Sequence, residues 1–399
     1  MTSGWQTKRL GDFANAVSTG PFGSILHKAD YVDEGVPLVN PINIVADSIV
    51  PDPSKLISPA TKVRLGSYVL EEGDVVVGRR GEIGRCAVVG PRESGWVCGT
   101  GSFFVRPSAN LDSQFLAHLI RSPIYRERLE SLSTGATMKN LSNSALGDLV
   151  VSIPSLIEQQ RIVGILDEAF DGIATAKANA EKNLQNARAL FESHLQAVFT
   201  QRGSGWTEKR LEQVGSTQTG STPRAADDTH YGKFMAFVKP GDFNVDGSLR
   251  YDNDGLSERG LASARKVAAG SVLMVCIGAT IGKCGYCDRD VTTNQQVNAL
   301  TPTDGSSNKF IYYQMLTESF QRSVVHSSGQ ATLPIINKSK WSALPIWVPP
   351  TAAEQNRIAD SFDALRAETQ RLESLYQQKL TALDTLKKSL LHQAFSGAL

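Results

Sequence analysis

Three things are scarce in this 399-residue sequence, and each scarcity removes a class of protein. There is almost no excess charge, since 41 Lys and Arg stand against 40 Asp and Glu, a net of +1. Binding of a polyanion by a field spread over the whole surface is therefore excluded, and any anionic ligand has to be met by local clusters. No apolar run approaches the roughly 18 residues of a membrane span. The first ten residues, Met1 to Leu10, are polar and include Lys8 and Arg9 where a secretion signal would have an apolar centre. Cysteines number five, odd and few for such a length, which without a secretion signal points to a reducing cytoplasm and not to a disulfide framework. The rest of the composition is that of a globular protein, 41% hydrophobic and 20% charged, which speaks against extended disorder. The length predicts two or three domains, each able to bury its own core.

Catalytic motifs are missing as well. Gly278-Ala279-Thr280-Ile281-Gly282-Lys283-Cys284 resembles a phosphate loop, but only three residues separate its glycines and Cys stands where a Mg²⁺-binding hydroxyl is needed. The Asn/Asp-Pro-Pro-aromatic motif of amino-methylating enzymes is approached only by Asn40-Pro41-Ile42-Asn43 and Val348-Pro349-Pro350-Thr351, and neither fits. Cys284-Gly285-Tyr286-Cys287 is a single Cys-x-x-Cys pair with Cys276 nearby and no second pair to complete a zinc tetrad, so these read as buried thiols. The six histidines form no i, i+4 pair, and acidic pairs such as Glu71-Glu72 and Asp227-Asp228 read as solvated loop charges.

What is present is a duplication. Trp5-Gln6-Thr7-Lys8-Arg9-Leu10 returns as Trp206-Thr207-Glu208-Lys209-Arg210-Leu211, and Gly81-Glu82-Ile83-Gly84-Arg85-Cys86 as Ala279-Thr280-Ile281-Gly282-Lys283-Cys284. Pro154 with Glu158-Gln159-Gln160-Arg161-Ile162 is matched by Pro349 with Glu354-Gln355-Asn356-Arg357-Ile358, and Ala197-Val198-Phe199-Thr200 by Ala394-Phe395-Ser396-Gly397. Four matches in one order, separated by between 195 and 201 positions, make this a two-fold repeat.

Each copy has two textures. Residues 1–155 and 201–350 are rich in Gly, Pro and β-branched residues; Val75-Val76-Val77 and Val272-Leu273-Met274-Val275 read as buried strands, with helical segments near Gln114–Leu132 and Lys309–Val325. Residues 157–199 and 352–395 have no proline, and only Gly164 and Gly172 as glycines. Their apolar positions step by three and four: Ile162, Ile165, Leu166, Ala169, Phe170, Ile173, Ala176, Ala180, Leu184, Ala187, Leu190 and Phe191, then Ile358, Phe362, Leu365, Leu372, Leu375, Tyr376, Leu380, Leu383, Leu386 and Leu390. That periodicity predicts two long helices, each roughly 65 Å, with a narrow seam that needs a partner. Each supplies the other's partner if they pair antiparallel; two unrelated surface helices are the alternative. Charge is even in residues 1–150 and 352–399, slightly acidic in 151–199 at 4 basic to 6 acidic, and slightly basic in 200–351 at 16 to 13.

Three polar loop clusters occur in both globules. Thr19-Gly20-Pro21-Phe22-Gly23-Ser24 stands beside Thr219-Gly220-Ser221-Thr222-Pro223-Arg224, and Arg79-Arg80-Gly81-Glu82 beside Gly278 to Lys283. Thr134 to Lys139 stands beside Ser328-Gly329-Gln330-Ala331-Thr332-Leu333. Glycines let backbone amides approach phosphates, while Arg, Lys, Gln, Ser and Thr reach base edges. The same residues also serve turns that bind nothing.

With these residues, nearly the whole chain resembles the DNA-specificity (S) subunit of type I restriction-modification systems. The resemblance is carried by Trp206-x-x-x-x-Leu211, Thr219-Gly220-Ser221-Thr222-Pro223, Ile281-Gly282-Lys283, Asn294-Gln295-Gln296, Pro349 through Glu354-Gln355-x-Arg357-Ile358, and Leu391-x-x-Ala394-Phe395-Ser396-Gly397-x-Leu399. The first globule departs from the pattern, with Gly20-Pro21-Phe22-Gly23-Ser24 and no clear Asn-Gln-Gln element near Gly99-Thr100-Gly101-Ser102. The resemblance implies a mixed α+β fold with two target-recognition domains, 1–155 and 201–350, and two helical spacers, 156–200 and 351–399, packed as an antiparallel coiled coil. It implies a non-catalytic subunit of a prokaryotic cytoplasmic complex. Each domain would read one half of an asymmetric bipartite site in double-stranded DNA, and the helix pair would set the gap.

The residues implied for DNA are Gly20, Phe22, Ser24, Arg79, Arg80, Thr137 and Lys139 in the first domain, and Thr219, Ser221, Thr222, Arg224, Thr280, Lys283, Gln295, Gln296, Gln330 and Thr332 in the second. Methyltransferase (modification) and restriction/translocase subunits would bring S-adenosylmethionine, ATP and Mg. They would dock near Glu158, Gln159 and Arg161 and near Glu354, Gln355 and Arg357, although Glu early in a helix also simply suits its dipole. A stand-alone methyltransferase or nuclease, and a coiled-coil scaffold that binds no DNA, remain the rival readings.

Overall fold

A computed structural model of the chain describes residues 4–21, 25–134, 140–303, 305–329 and 333–399. It contains two compact units that do not follow chain order: Met1–Glu181 with Gln378–Leu399, and Lys182–Gln377. Each unit therefore holds one globule and a part of each long helix.

In the first unit the strands Ala14–Thr19, Ser102–Pro107, Val75–Gly78 and Cys86–Val88 form an antiparallel sheet in that order. Val75, Val76 and Val77 are fully buried because both faces are covered, which is why the run is continuous and not alternating. A second sheet runs Val97–Cys98, Val36–Val39, Leu56–Ile57, Tyr31–Val32, with one parallel pair, Leu38 beside Val97. The other unit repeats this plan. Gly215–Thr219, Val297–Pro302, Val272–Val275 and Cys284–Tyr286 form its antiparallel sheet. Gly255–Leu256, Tyr231–Val238, Val291–Thr293 and Lys266–Val267 form the second sheet, again with one parallel pair, Phe237 beside Thr292. Even the antiparallel contact of Lys266 with Thr292 has a counterpart, the isolated bridge between Val69 and Val97.

The helical segments expected near Gln114–Leu132 and Lys309–Val325 are each broken in two. Pro123 opens a new helix, Pro123–Leu132, after Ser113–Arg121, and the hydroxyl of Ser122 caps it. Thr317 does the same between Asn308–Met315 and Glu318–Ser327. In each globule a two-stranded ribbon closes start onto end: Gln6–Arg9 with Val150–Ile153, and Thr207–Arg210 with Pro345–Val348. The ribbon delivers the chain to a long helix.

Those helices are Leu156–Gln201, 46 residues, and Ala352–Ser396, 45 residues. Gly397 ends the second in a left-handed conformation at φ 82°. They lie antiparallel within each unit: Lys177 meets Asp384 in the first, and Arg188 meets Glu373 in the second. Leu166, Ile173, Ala180 and Ala187 are buried at a step of seven, the seam of a coiled coil. Three expected seam residues instead lie half exposed: Leu190 at 50%, Leu375 at 48% and Leu386 at 46%. A pattern of 3.6 residues drifts off a seam of 3.5, so a sequence stripe read over 40 residues is wider than the contact line.

The helix ends sink into the globular cores. Leu391, Ala394 and Phe395 join the first unit's core, and Ile358, Ala359 and Phe362 join the second's. All five cysteines are free and buried. Burial pushes the Cys86 thiol up to about 11 and Cys276 up to about 12. The Cys284 and Cys287 thiols donate separately, to Gly282 O and to the carbonyls of Ala268 and Ser271, so this pair serves packing.

Candidate nucleic-acid interface

Antiparallel pairing decides where the polar loops go. In the second unit Thr219 ends its strand beside Asn298, Val275 ends its strand beside Val297, and the next strand begins at Cys284. The loops after Thr219, after Val275 and before Val297 therefore leave one edge of the sheet. Backbone bonds lace them together: Ser221 N donates to Thr293 O (2.9 Å), Cys276 N to Gln296 O (2.7 Å) and Gly278 N to Pro334 O (3.0 Å). Residues some 115 apart in sequence, from Thr219 to Pro334, meet at one rim.

Side chains fix the rim further. The Thr222 hydroxyl donates to Gln295 Oε1, and Thr219 Oγ1 to Asn298 Oδ1 (2.8 Å). Asn294 and Gln296 close a local ring, with Asn294 Nδ2 on Gln296 Oε1 (3.0 Å) and Gln296 N on Asn294 Oδ1 (3.1 Å). Arg265 clamps the Thr219–Ser221 loop, its Nη1 on Thr219 O (2.8 Å) and its amide on Ser221 Oγ (3.0 Å). Thr222, Arg224, Thr280 and Gln295 are exposed, while Ser221, Lys283 and Gln296 are half-buried. The result is a rim of hydroxyls and amides with a cation at Arg224, held by backbone and suited to hydrogen bonding with an edge.

The first unit builds the same rim differently. Gly20 N donates to Ser102 O (3.0 Å), Arg79 N to Gly101 O (2.9 Å) and Leu141 N to Arg79 O (3.1 Å). The last two bonds match Cys276 N to Gln296 O and Ile336 N to Cys276 O, so Arg79 occupies the place of a buried cysteine. Its side chain follows: Nε donates to Leu141 O (3.1 Å) and the guanidinium lies over the Phe103 ring. Arg79 is thereby engaged inside its own unit, and Arg80, which is exposed, is the arginine the rim presents. Glu82 pairs with Arg85 and Arg126, whose hydrogen bonds and charges hold its carboxyl below the usual range.

Gly20, expected to face DNA, is buried, and so is its counterpart Gly220. A Cβ on Gly20 would stand 2.0 Å from Gly99 O, and one on Gly220 would stand 2.2 Å from Asn294 O. Both let the chain cross over a neighbouring loop's backbone, a requirement of the rim's construction. Phe22, Ser24, Thr137, Lys139, Gln330 and Thr332 lie outside the described residues. Arg265, Asn298 and Asn40, whose Oδ1 accepts from Gly101 N (3.3 Å), were not foreseen. They reach the rim through tertiary pairing, and nothing in their local sequence marks them.

The helix-start residues separate into two kinds. Gln159 is fully buried: its Oε1 accepts from Asp112 N (2.8 Å), and its Nε2 donates to Asn110 O and Pro154 O (2.9 Å each). Gln355 does part of this in the second unit, accepting from Ser307 N (2.8 Å). These two glutamines, expected at a partner surface, face inward because they tie helix to globule. Glu354 is half-buried and accepts from Trp206 Nε1 (3.3 Å). Arg161 is exposed and paired with Glu158 (2.7 Å), and Arg357 is exposed.

A family profile described as the type I restriction modification DNA specificity domain matches residues 2–185 and again 203–382. The chain belongs to this family. The type I restriction enzyme HindI specificity subunit of Haemophilus influenzae is 31% identical over 149 residues, covering 36% of this chain and 32% of that one. The StySPI specificity subunit of Salmonella potsdam is 23% identical over 338 residues, 76% of this chain and 69% of that one. The chain thus spans about a third of the first relative's length and about two thirds of the second's.

Two solved structures share the fold. The HsdS subunit from Thermoanaerobacter tengcongensis superposes with a TM-score of 0.67 at 20% identity, over 100% of this chain and 98% of that one. A chain from a type I R-M system, in a structure concerned with complex assembly and conformational transition, superposes with a TM-score of 0.75 at 21% identity, over 100% and 99%. In this member of the DNA specificity family the profile occurs twice, once on each globule.

Proposed function

We propose that the chain is the DNA-recognition subunit of a type I restriction-modification complex. Each globule reads one half of a bipartite site in double-stranded DNA, and the two long helices set the gap between halves. The observation that carries this reading is a specificity-domain match on both copies of the repeat, each copy joining its recurring polar loops by backbone bonds at one rim of a sheet. Arg80 in the first unit, and Thr222, Arg224, Thr280 and Gln295 in the second, are the readers. The halves read different sequences because their rims differ: the first presents Arg80, the second Thr222, Arg224, Thr280 and Gln295.

Methylation and cleavage lie with the methyltransferase and restriction/translocase subunits, which bring S-adenosylmethionine, ATP and Mg. These subunits dock beside Glu158, Arg161 and Arg357, with the exposed Leu190, Leu375 and Leu386 as apolar contacts. The complex operates in the cytoplasm. Among the described residues, no helix is long and apolar enough to cross a membrane. The near-zero net charge fits a subunit whose partners supply most of the grip on phosphates.

Selection from a random duplex library, with the methyltransferase partner present, is expected to return two short motifs at one fixed spacing. A single motif, or no enrichment at low salt, would sink the proposal. Gln295→Ala removes an amide suited to adenine, and the expected result is relaxation of one base position by about 1–3 kcal/mol, with the other half-site unchanged. Binding to a panel of single-substitution duplexes measures it; uniform weakening across the panel would make Gln295 a phosphate contact only.

A further inference from the structure

The long helices trade charges in a way the repeat makes visible. Lys177 Nζ meets Asp384 Oδ1 at 2.7 Å in the first unit, and Arg188 Nε meets Glu373 Oε2 at 3.0 Å in the second. Glu373 follows Lys177 by 196 positions, and Asp384 follows Arg188 by 196. The same interval relates the structurally matched Gln159 and Gln355. The two bridges are therefore one position pair seen twice, with the charges exchanged. The first helix is the cation both times, and the second helix is the anion both times.

The neighbouring position pair is exchanged as well. Phe170 lies beneath Lys387 in the first unit, while Arg366 lies over Phe191 in the second. Arg366 follows Phe170 by 196, and Lys387 follows Phe191 by 196.

A duplicated helix has an inherent alternative partner, which is its own copy in a second molecule. With the same register, the first helix against its copy would bring Lys177 to Arg188 twice. The second helix against its copy would bring Glu373 to Asp384 twice, and Arg366 to Lys387. A dimer with exchanged helices would thus replace four attractive bridges with four like-charge meetings, and would add Arg366 against Lys387 twice. Each bridge is partly exposed and weak alone, but all of them change sign together. We propose that these seam charges choose the partner, favouring pairing within one chain and opposing pairing of either helix with a second copy. The inference rests on seam geometry and is independent of what the rims bind.

The test uses the full chain. In K177E/E373K both internal bridges become like-charge contacts, carboxylate against carboxylate in the first unit and cation against cation in the second. Copy-with-copy pairing gains four opposite-charge contacts in the same variant. K177E/R188E/E373K/D384K restores the internal bridges with their polarity reversed. Sedimentation over a concentration series should show the double variant dimerising about tenfold or more tightly than wild type at low salt, with the gain fading near 1 M salt, where the screening length falls to about 3 Å. The fourfold variant should match wild type in both self-association and thermal midpoint. The proposal is overturned if the double variant dimerises no more than wild type, whatever its thermal midpoint. It is equally overturned if the fourfold variant dimerises as strongly as the double.

Discussion

Leucine in place of Gln159 is expected to destabilise the first unit by about 3–5 kcal/mol. The side chain is fully buried and serves three backbone groups: the Asp112 amide and the carbonyls of Asn110 and Pro154. Leucine keeps much of the volume but removes the partner of all three groups, one of them in a buried bond and two in part-buried ones, at about 1–3 kcal/mol for each group left buried and unpaired. The damage spreads because Asp112 caps the helix Ser113–Arg121 through the Phe115 amide (2.9 Å). That helix also touches the first long helix through His118 and Asp167 (2.9 Å). Denaturant unfolding of the full chain measures the loss, with exposed Gln160→Leu as a control expected to stay within about 0.5 kcal/mol. The experiment also decides what Gln159 is for. Unchanged stability with weakened binding of the methyltransferase subunit would return it to the docking surface.

Phe362→Ala is expected to lose about 3–5 kcal/mol in the second unit. The ring is fully buried at the start of the second long helix, among Tyr313 (centroids 4.9 Å apart), His194 (5.5 Å), Phe199 (5.8 Å) and Phe191 (6.3 Å). Residues from both long helices and from the helix Asn308–Met315 meet on this one side chain, so its removal leaves a cavity that no single element can close. At about 2–4 °C per kcal/mol for a unit of this size, the thermal midpoint of the second unit should fall by roughly 6–20 °C. Phe362→Leu should recover more than half of that by refilling the volume. Calorimetry showing no shift in either variant would mean that the aromatic cluster is not what fastens helix to globule.

Much of this architecture was legible beforehand because it is periodic. The long helices announce themselves by 40 residues without proline and by apolar steps of three and four, and the repeat by four motifs in one order. Buried strands such as Val75–Gly78 announce themselves by unbroken runs of valine. Short elements were less legible. Ser122 and Thr317 each cut a segment that reads as continuous, because one N-cap decides a boundary while many residues decide a helix.

The candidate interface was half legible. Threonine, glutamine and glycine in recurring loops pointed to the rim, yet the same residue types serve three purposes there. Gln295 is exposed, Gln159 is buried as a backbone brace, and Gly220 is buried as a crossing point. Composition cannot separate these, because burial depends on what lies opposite. Arg79 shows it most directly: an arginine beside Arg80 in a polar loop reads as a DNA contact, until pairing places its Nε on Leu141 O and its guanidinium over Phe103.

The sequence by itself determined what is local and repeated: the duplication, the division into globule and spacer, the lengths of the helices and the family. The tertiary structure decided which polar residues face outward and which hold the chain together, and which helix charges meet. The reason is physical. Helix periodicity is set by neighbours three and four residues away, whereas Lys177 finds Asp384, and Thr219 finds Asn298, across separations that only the packed fold closes.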